Sequence, residues 1–111
     1  MVIDYAAFDA VEMRAGTVLG VSPFPEARKP AYKLTIDLGA DIGTKRSSAQ
    51  ITELYEAESL IGAQVVCVVN FPPKRIAGFQ SEVLVLGVAD DAGRVVLLRP
   101  QRLVPNGSRV Y

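Results

Sequence analysis

The chain has 111 residues, 50% of them hydrophobic, and carries 12 Lys+Arg against 12 Asp+Glu, so its net charge is zero. That length fits one domain with a modest core, and the charge balance gives no overall pull toward polyanions. There is no histidine and only one cysteine, which removes the commonest general base and metal ligand, any internal disulfide and any cysteine-rich zinc site.

The N-terminus, Met1-Val2-Ile3-Asp4-Tyr5, lacks the basic and apolar regions of a secretory leader, and no apolar stretch reaches the roughly 18 residues needed to cross a bilayer. With a single unpaired cysteine, these features predict a cytoplasmic protein without membrane insertion. Asp4 is expected to cap a short helix through Ala6, Ala7 and Phe8 to about Ala10, with Ile3 and Phe8 as a hydrophobic staple. Residues 14–22 read as a first strand, whose Gly16 and Gly20 suit a sharply coiled path. Pro23, Pro25 and Pro30 mark a stiff loop carrying Glu26, Arg28 and Lys29.

The clearest alternation follows: Tyr32, Leu34, Ile36 and Leu38 are apolar, and Lys33, Thr35 and Asp37 interleave on the other face. After a turn at 39–43, the stretch 45–51 is too polar for a central strand. A solvated edge strand and a ligand-facing strand are equally open readings of it. Thr52 is expected to cap a short helix through Leu54, Tyr55 and Leu60, ending near Gly62. The runs 65–69 and 83–86 read as strands buried on both faces, bracketing the polar, basic loop 70–82 with Pro72 and Pro73. Asp90-Asp91-Ala92-Gly93 is a hairpin turn leading into a strand at 94–99. Pro105-Asn106-Gly107 is a turn between two short arms.

Short strands, a helix between the third and fourth, and glycine in the first suggest an all-β, five-stranded Greek-key barrel of OB-fold type in a single domain, 1–111. Barrel strands ordinarily alternate apolar and polar, yet 65–69, 83–86 and 95–98 are apolar throughout. A second copy of the chain is therefore expected to cover the outer wall in a symmetric dimer.

Nothing in the sequence asks for catalysis. Cys67 sits inside an apolar run, and no phosphate loop, nucleophile elbow or metal-spaced carboxylate set occurs. The candidate ligand residues are Lys45, Arg46, Ser47, Ser48, Gln50, Asn70, Phe71, Lys74, Arg75, Phe79 and Ser81, from the polar strand and the basic loop. As a polypeptide site they supply aromatic anchors and backbone-bonding groups; as a tRNA site, Lys45, Arg46, Lys74 and Arg75 meet phosphates. Asn70 and Ser81 have equally good local roles, bonding nearby backbone where strands end.

Arg14-Ala15-Gly16-Thr17-Val18, together with Asn70 through Ser81 and Pro73, Lys74, Ile76 and Gly78 between, resemble the tRNA-binding OB-fold domain, found free-standing and attached to some aminoacyl-tRNA synthetases. Through 23–37, 45–52, 69–79 and 81–87 the chain is more similar still to the CsaA branch of that family, chaperone-like relatives associated with protein export. Synthetase-attached domains usually place glycine and methionine where this chain has Val83 and Leu84, and tend to lack Ser47-Ser48-Ala49-Gln50. Their tRNA contacts therefore carry over only at matching positions such as Asn70, Lys74 and Ser81. The resemblance implies a homodimeric OB-fold without catalytic activity or cofactor, binding unfolded or preprotein polypeptides. It also makes the export machinery a candidate partner, and tRNA binding the alternative function.

Overall fold

A computed structural model describes residues 1–111. Helix α1 (Tyr5–Ala10) is capped as its sequence requires, Asp4 Oδ1 accepting from the Ala7 N–H at 2.9 Å. The staple is replaced: Ile3 stays exposed, and Phe8 meets Tyr5 edge-on instead, with ring centroids 6.1 Å apart. In chain order the remaining elements are β1 (Met13–Pro23), β2 (Tyr32–Asp37), α2 (Gly39–Ile42), β3 (Thr44–Ala49), α3 (Ala57–Leu60) and β4 (Gln64–Val68). Then come β5 (Lys74–Ile76), β6 (Phe79–Ser81), β7 (Leu84–Val85), β8 (Gly87–Ala89) and β9 (Val95–Leu97).

Five strands form one antiparallel sheet in the order β3-β2-β1-β4-β7. Its outer strands, β3 and β7, approach each other without a hydrogen-bonded ladder, so the sheet curls into a nearly closed barrel of OB type. β1 makes the curl possible by serving two partners, β4 over its first half and β2 over its second, with an irregularity between Val18 and Gly20. Gly16 lies where the walls are tightest. A Cβ there would sit 2.7 Å from both Ile36 Cγ2 and Leu38 Cδ2. The alternation seen in β2 turns Leu34, Ile36 and Leu38 inward, where they join Val18, Leu60, Val65 and Cys67 in the main core.

The helix expected from Thr52 to Leu60 is only the turn α3, and its cap position, Glu56, makes no side-chain cap bond. Tertiary contacts override helix formation here. Ile51 is buried in the core, and Tyr55 is tied down at both ends: its carbonyl accepts from Tyr32 Oη at 2.8 Å, and its hydroxyl accepts from the Leu97 N–H at 3.0 Å. The run 83–86 also departs from expectation. Val83 is buried but Leu84 is 47% exposed, and the chain leaves the sheet after Val85. Leu86 donates to the Val66 carbonyl yet accepts from Leu98, which hands the strand over to the β8–β9 ribbon.

Two further segments are more ordered than their composition suggests. The loop 70–82 contains the two-stranded ribbon β5–β6, turned by Ala77 (φ 46°) and Gly78 (φ 80°), the pair of left-handed residues that a tight hairpin needs. The tail folds back on β1. Gly107 N donates to the Ala15 carbonyl (2.7 Å), Ala15 N to Ser108 (2.9 Å) and Val110 N to Met13 (2.9 Å). Buried Gln64 clamps Val104 through both amide atoms, at 2.7 and 3.0 Å, and Asn106 Oδ1 accepts from Thr17 Oγ1 at 2.7 Å.

Candidate functional site

Because the barrel does not close between β3 and β7, a half-open cleft of about 530 Å³ remains there. Its volume lies within the range of roughly 300–1,000 Å³ typical of ligand sites. Ala49, Ile51, Val83, Val85 and Val95 give it an apolar lining, and the β5–β6 ribbon with Phe71 and Pro72 forms one bank. Its polar groups are Ser48, Gln50, Lys74, Ser81 and Glu82, so one cation and one carboxylate leave it electrically neutral.

The ribbon explains which predicted residues reach this cleft. Lys74 pairs with Ser81, Arg75 with Gln80 and Ile76 with Phe79 across the ribbon. Successive strand residues point to opposite faces, so adjacent Lys74 and Arg75 cannot serve one surface. Lys74, Ile76 and Ser81 line the cleft, whereas Arg75 does not. Ser48, Gln50 and Phe71 complete the set of predicted residues found there, and Phe71 is 53% exposed.

The other candidates lie elsewhere. Ser47 is fully buried, its hydroxyl donating to the Ser48 carbonyl at 3.1 Å. Phe79 is buried against Phe24, with ring centroids 5.4 Å apart, in a second small cluster with Ala31. Arg46 stacks on Phe79 (4.3 Å from Cζ to the centroid), and Lys33 Nζ sits 4.7 Å from the Phe24 centroid, so each ring carries a cation. Asn70 fastens α1 to the barrel, accepting from Glu12 N at 3.0 Å and donating to the Ala10 carbonyl at 2.8 Å. Lys45 lies 3.9 Å from Glu82 Oε2, and Glu82 Oε1 also accepts from the Arg46 N–H at 3.0 Å.

Ile51, Val83, Val85 and Val95 were not among the predicted site residues, since in sequence they are indistinguishable from core. They line the gap between β3 and β7, Val85 and Val95 half-buried and Ile51 and Val83 buried at its floor. Cys67 is buried away from the cleft, and burial pushes its thiol pKa up to about 12. No group of three His, Cys, Asp or Glu side chains is placed to hold a metal ion.

The family model described as a putative tRNA binding domain matches residues 13–109. The crystal structure of the chaperone CsaA from Bacillus anthracis strain Ames is 52% identical, superposes with a TM-score of 0.93 and is covered completely, as is this chain. That of the CsaA chaperone protein from Picrophilus torridus is 49% identical with a TM-score of 0.92, over 99% of this chain and 100% of that one. The chain belongs to the CsaA branch of the tRNA-binding domain family. CsaA-type architecture thus accounts for the whole chain. The methionine–tRNA ligases of Methanothrix thermoacetophila (42% identical over 107 residues) and Methanococcus maripaludis strain C5 (33% over 110) are similar over 96% and 99% of the chain. The chain spans only 15% and 16% of their respective lengths, so the similarity does not carry their activity to it.

Proposed function

We propose that this chain is a non-catalytic, chaperone-like protein that binds unfolded or export-destined polypeptides in the cleft between β3 and β7. The observation that carries the reading is the cleft itself, apolar beneath, polar at its edge and without net charge. A polypeptide site needs apolar anchors beside hydrogen-bonding groups, whereas a phosphate backbone needs cations in excess. Similarity to the CsaA chaperone structures over the full chain supports the same reading.

The functional unit in this proposal is a cytoplasmic homodimer. Ile3, Tyr5, Leu103 and Tyr111 are exposed apolar side chains at the two ends of the chain, and a second copy suits them. No helix is long and apolar enough to cross a membrane. Light scattering of a chemically unfolded client diluted from denaturant tests the reading. The wild-type protein should suppress aggregation and Phe71→Ala should suppress it less; an undiminished effect removes the cleft from consideration.

A second reading, tRNA binding, is favoured by the cations that lie outside the cleft, Lys33, Arg46 and Arg75, and by the family's description. Retention of tRNA in a gel-shift series should then fall with salt, with a log–log slope of about −0.7 to −0.9 per phosphate neutralised. Joint replacement of Arg46 and Arg75 by Ala should abolish that retention while leaving client protection intact.

A further inference from the structure

We propose that the cleft recognises the main chain of an extended polypeptide, through Ser48, Gln50 and Ser81, and is therefore blind to most of its sequence. This rests on the polypeptide-binding reading and specifies what the cleft reads. The three side chains line one cleft and have unused hydrogen-bonding capacity. Neither the Ser48 hydroxyl nor the Gln50 carboxamide takes part in any hydrogen bond within the protein, although Ser48 is half-buried. The Ser81 oxygen accepts from the Ser48 N–H at 3.0 Å, which leaves its own O–H free to donate.

Hydroxyls and carboxamides both donate and accept. A peptide backbone presents donors and acceptors in alternation, so the match is close. A phosphodiester offers acceptors alone and carries a charge on each unit. The cleft answers neither property: its lining has one cation, Lys74, and one carboxylate, Glu82. The carboxylate is already engaged by the Arg46 N–H and lies near Lys45, and the cleft shows no surplus of positive charge. Charge complementarity thus selects an uncharged chain.

The rest of the lining fits such an occupant. Alternate residues of an extended strand point to opposite sides, so every second side chain would face Ile51, Val83, Val85 and Val95 while the backbone stays near Ser48, Gln50 and Ser81. A largely aliphatic lining without a deep polar pocket distinguishes poorly among apolar side chains, by about 10- to 200-fold per methylene at best. Backbone contacts then become the common element of every client.

The test uses the full chain and two probes. One is a fluorescein-labelled, acetylated and amidated peptide alternating Leu and Ser, and the other is the same sequence with alternate amides N-methylated. Anisotropy titrations should show at least a tenfold loss of affinity on methylation. Ser48→Ala and Gln50→Ala should each weaken the parent peptide about 2- to 10-fold, the value of one hydrogen bond, and leave the methylated peptide unchanged. Equal affinity for the two peptides, or equal losses on both from either substitution, overturns main-chain recognition while leaving polypeptide binding standing. Binding of neither peptide overturns the polypeptide reading along with it.

Discussion

The molecule has two apolar clusters of unequal kind. The main one, built from Val18, Leu34, Ile36, Leu38, Leu60, Val65 and Cys67, is drawn from every long strand and holds the barrel. The smaller one, Phe24, Ala31 and Phe79 with Ile76 against them, joins the loop after β1 to the β5–β6 ribbon and belongs to neither wall. No strand of the main sheet pairs with that ribbon. Its attachments are the tilted Phe24–Phe79 ring pair, the Arg46 and Lys33 cations over Phe79, the Ser81–Ser48 hydrogen bond and the mutual bonds of Glu82 with Arg46. The barrel's stability and the order of one bank of the cleft are thus separable properties.

The largest expected effect is in the main core. Leu34→Ala should cost about 2–5 kcal/mol, read as a lower urea midpoint for the whole molecule. Cys67 serves as a native reporter, since its thiol lies in that core and is inert while folded. Its pKa is raised on folding, so the associated stability is complete below the ordinary thiol value near 9 and fades as pH climbs toward about 12. A thiol reagent at pH 8 should label Leu34→Ala faster than wild type.

Phe79→Ala should behave differently. The ribbon amides at 74–81 should lose hydrogen-exchange protection while those of β1 and β2 keep theirs and Cys67 labelling stays slow. Because the loss is taken up by local opening of the ribbon, the urea midpoint should move less than in Leu34→Ala, and client binding should fall far more than stability does. If both clusters fail together in these measurements, they are one cooperative unit and the contrast is void.

Arg46→Ala removes only the cation over Phe79 and should cost about 0.5–1 kcal/mol. The smallest effect concerns the other ribbon, where backbone N–H groups of Arg94 and Ala92 bond Asp90 and hold its carboxyl below the usual aspartate range. A depressed pKa favours the folded turn above the unfolded value and ceases to do so as pH falls through the folded one. Amide shifts of Ala92 and Arg94 should therefore move only below about pH 4, and Asp90→Asn should abolish that titration.

Much of the barrel was legible because alternation is a direct record of which face is inside. Tyr32, Leu34, Ile36 and Leu38 give β2 and its orientation without further help, and Asp4 gives the start of α1. Thr52 misled because a cap signal is local, whereas Tyr55 is held by strands far away in sequence. For the cleft, sequence pointed to segments that line it but not to the faces that do so. Lys74 and Arg75 are neighbours in the chain and opposites on the ribbon, a distinction visible only once 70–82 is known to be paired. Asn70 and Phe79 look available in a linear reading, yet one clasps α1 and the other is packed against Phe24.

The clamp of Gln64 on Val104, and the return of 107–110 along β1, have a kinetic corollary. Arg14 bonds the carbonyl of Gly107 across 93 positions of sequence. A ribosome must therefore deliver residues 104–110 before that end of the barrel can be sealed, and until then a carboxamide destined for burial waits without its mate. This seam cannot form before residues 104–110 are available, and a fragment cut short of residue 104 should mature poorly however good its remaining strands.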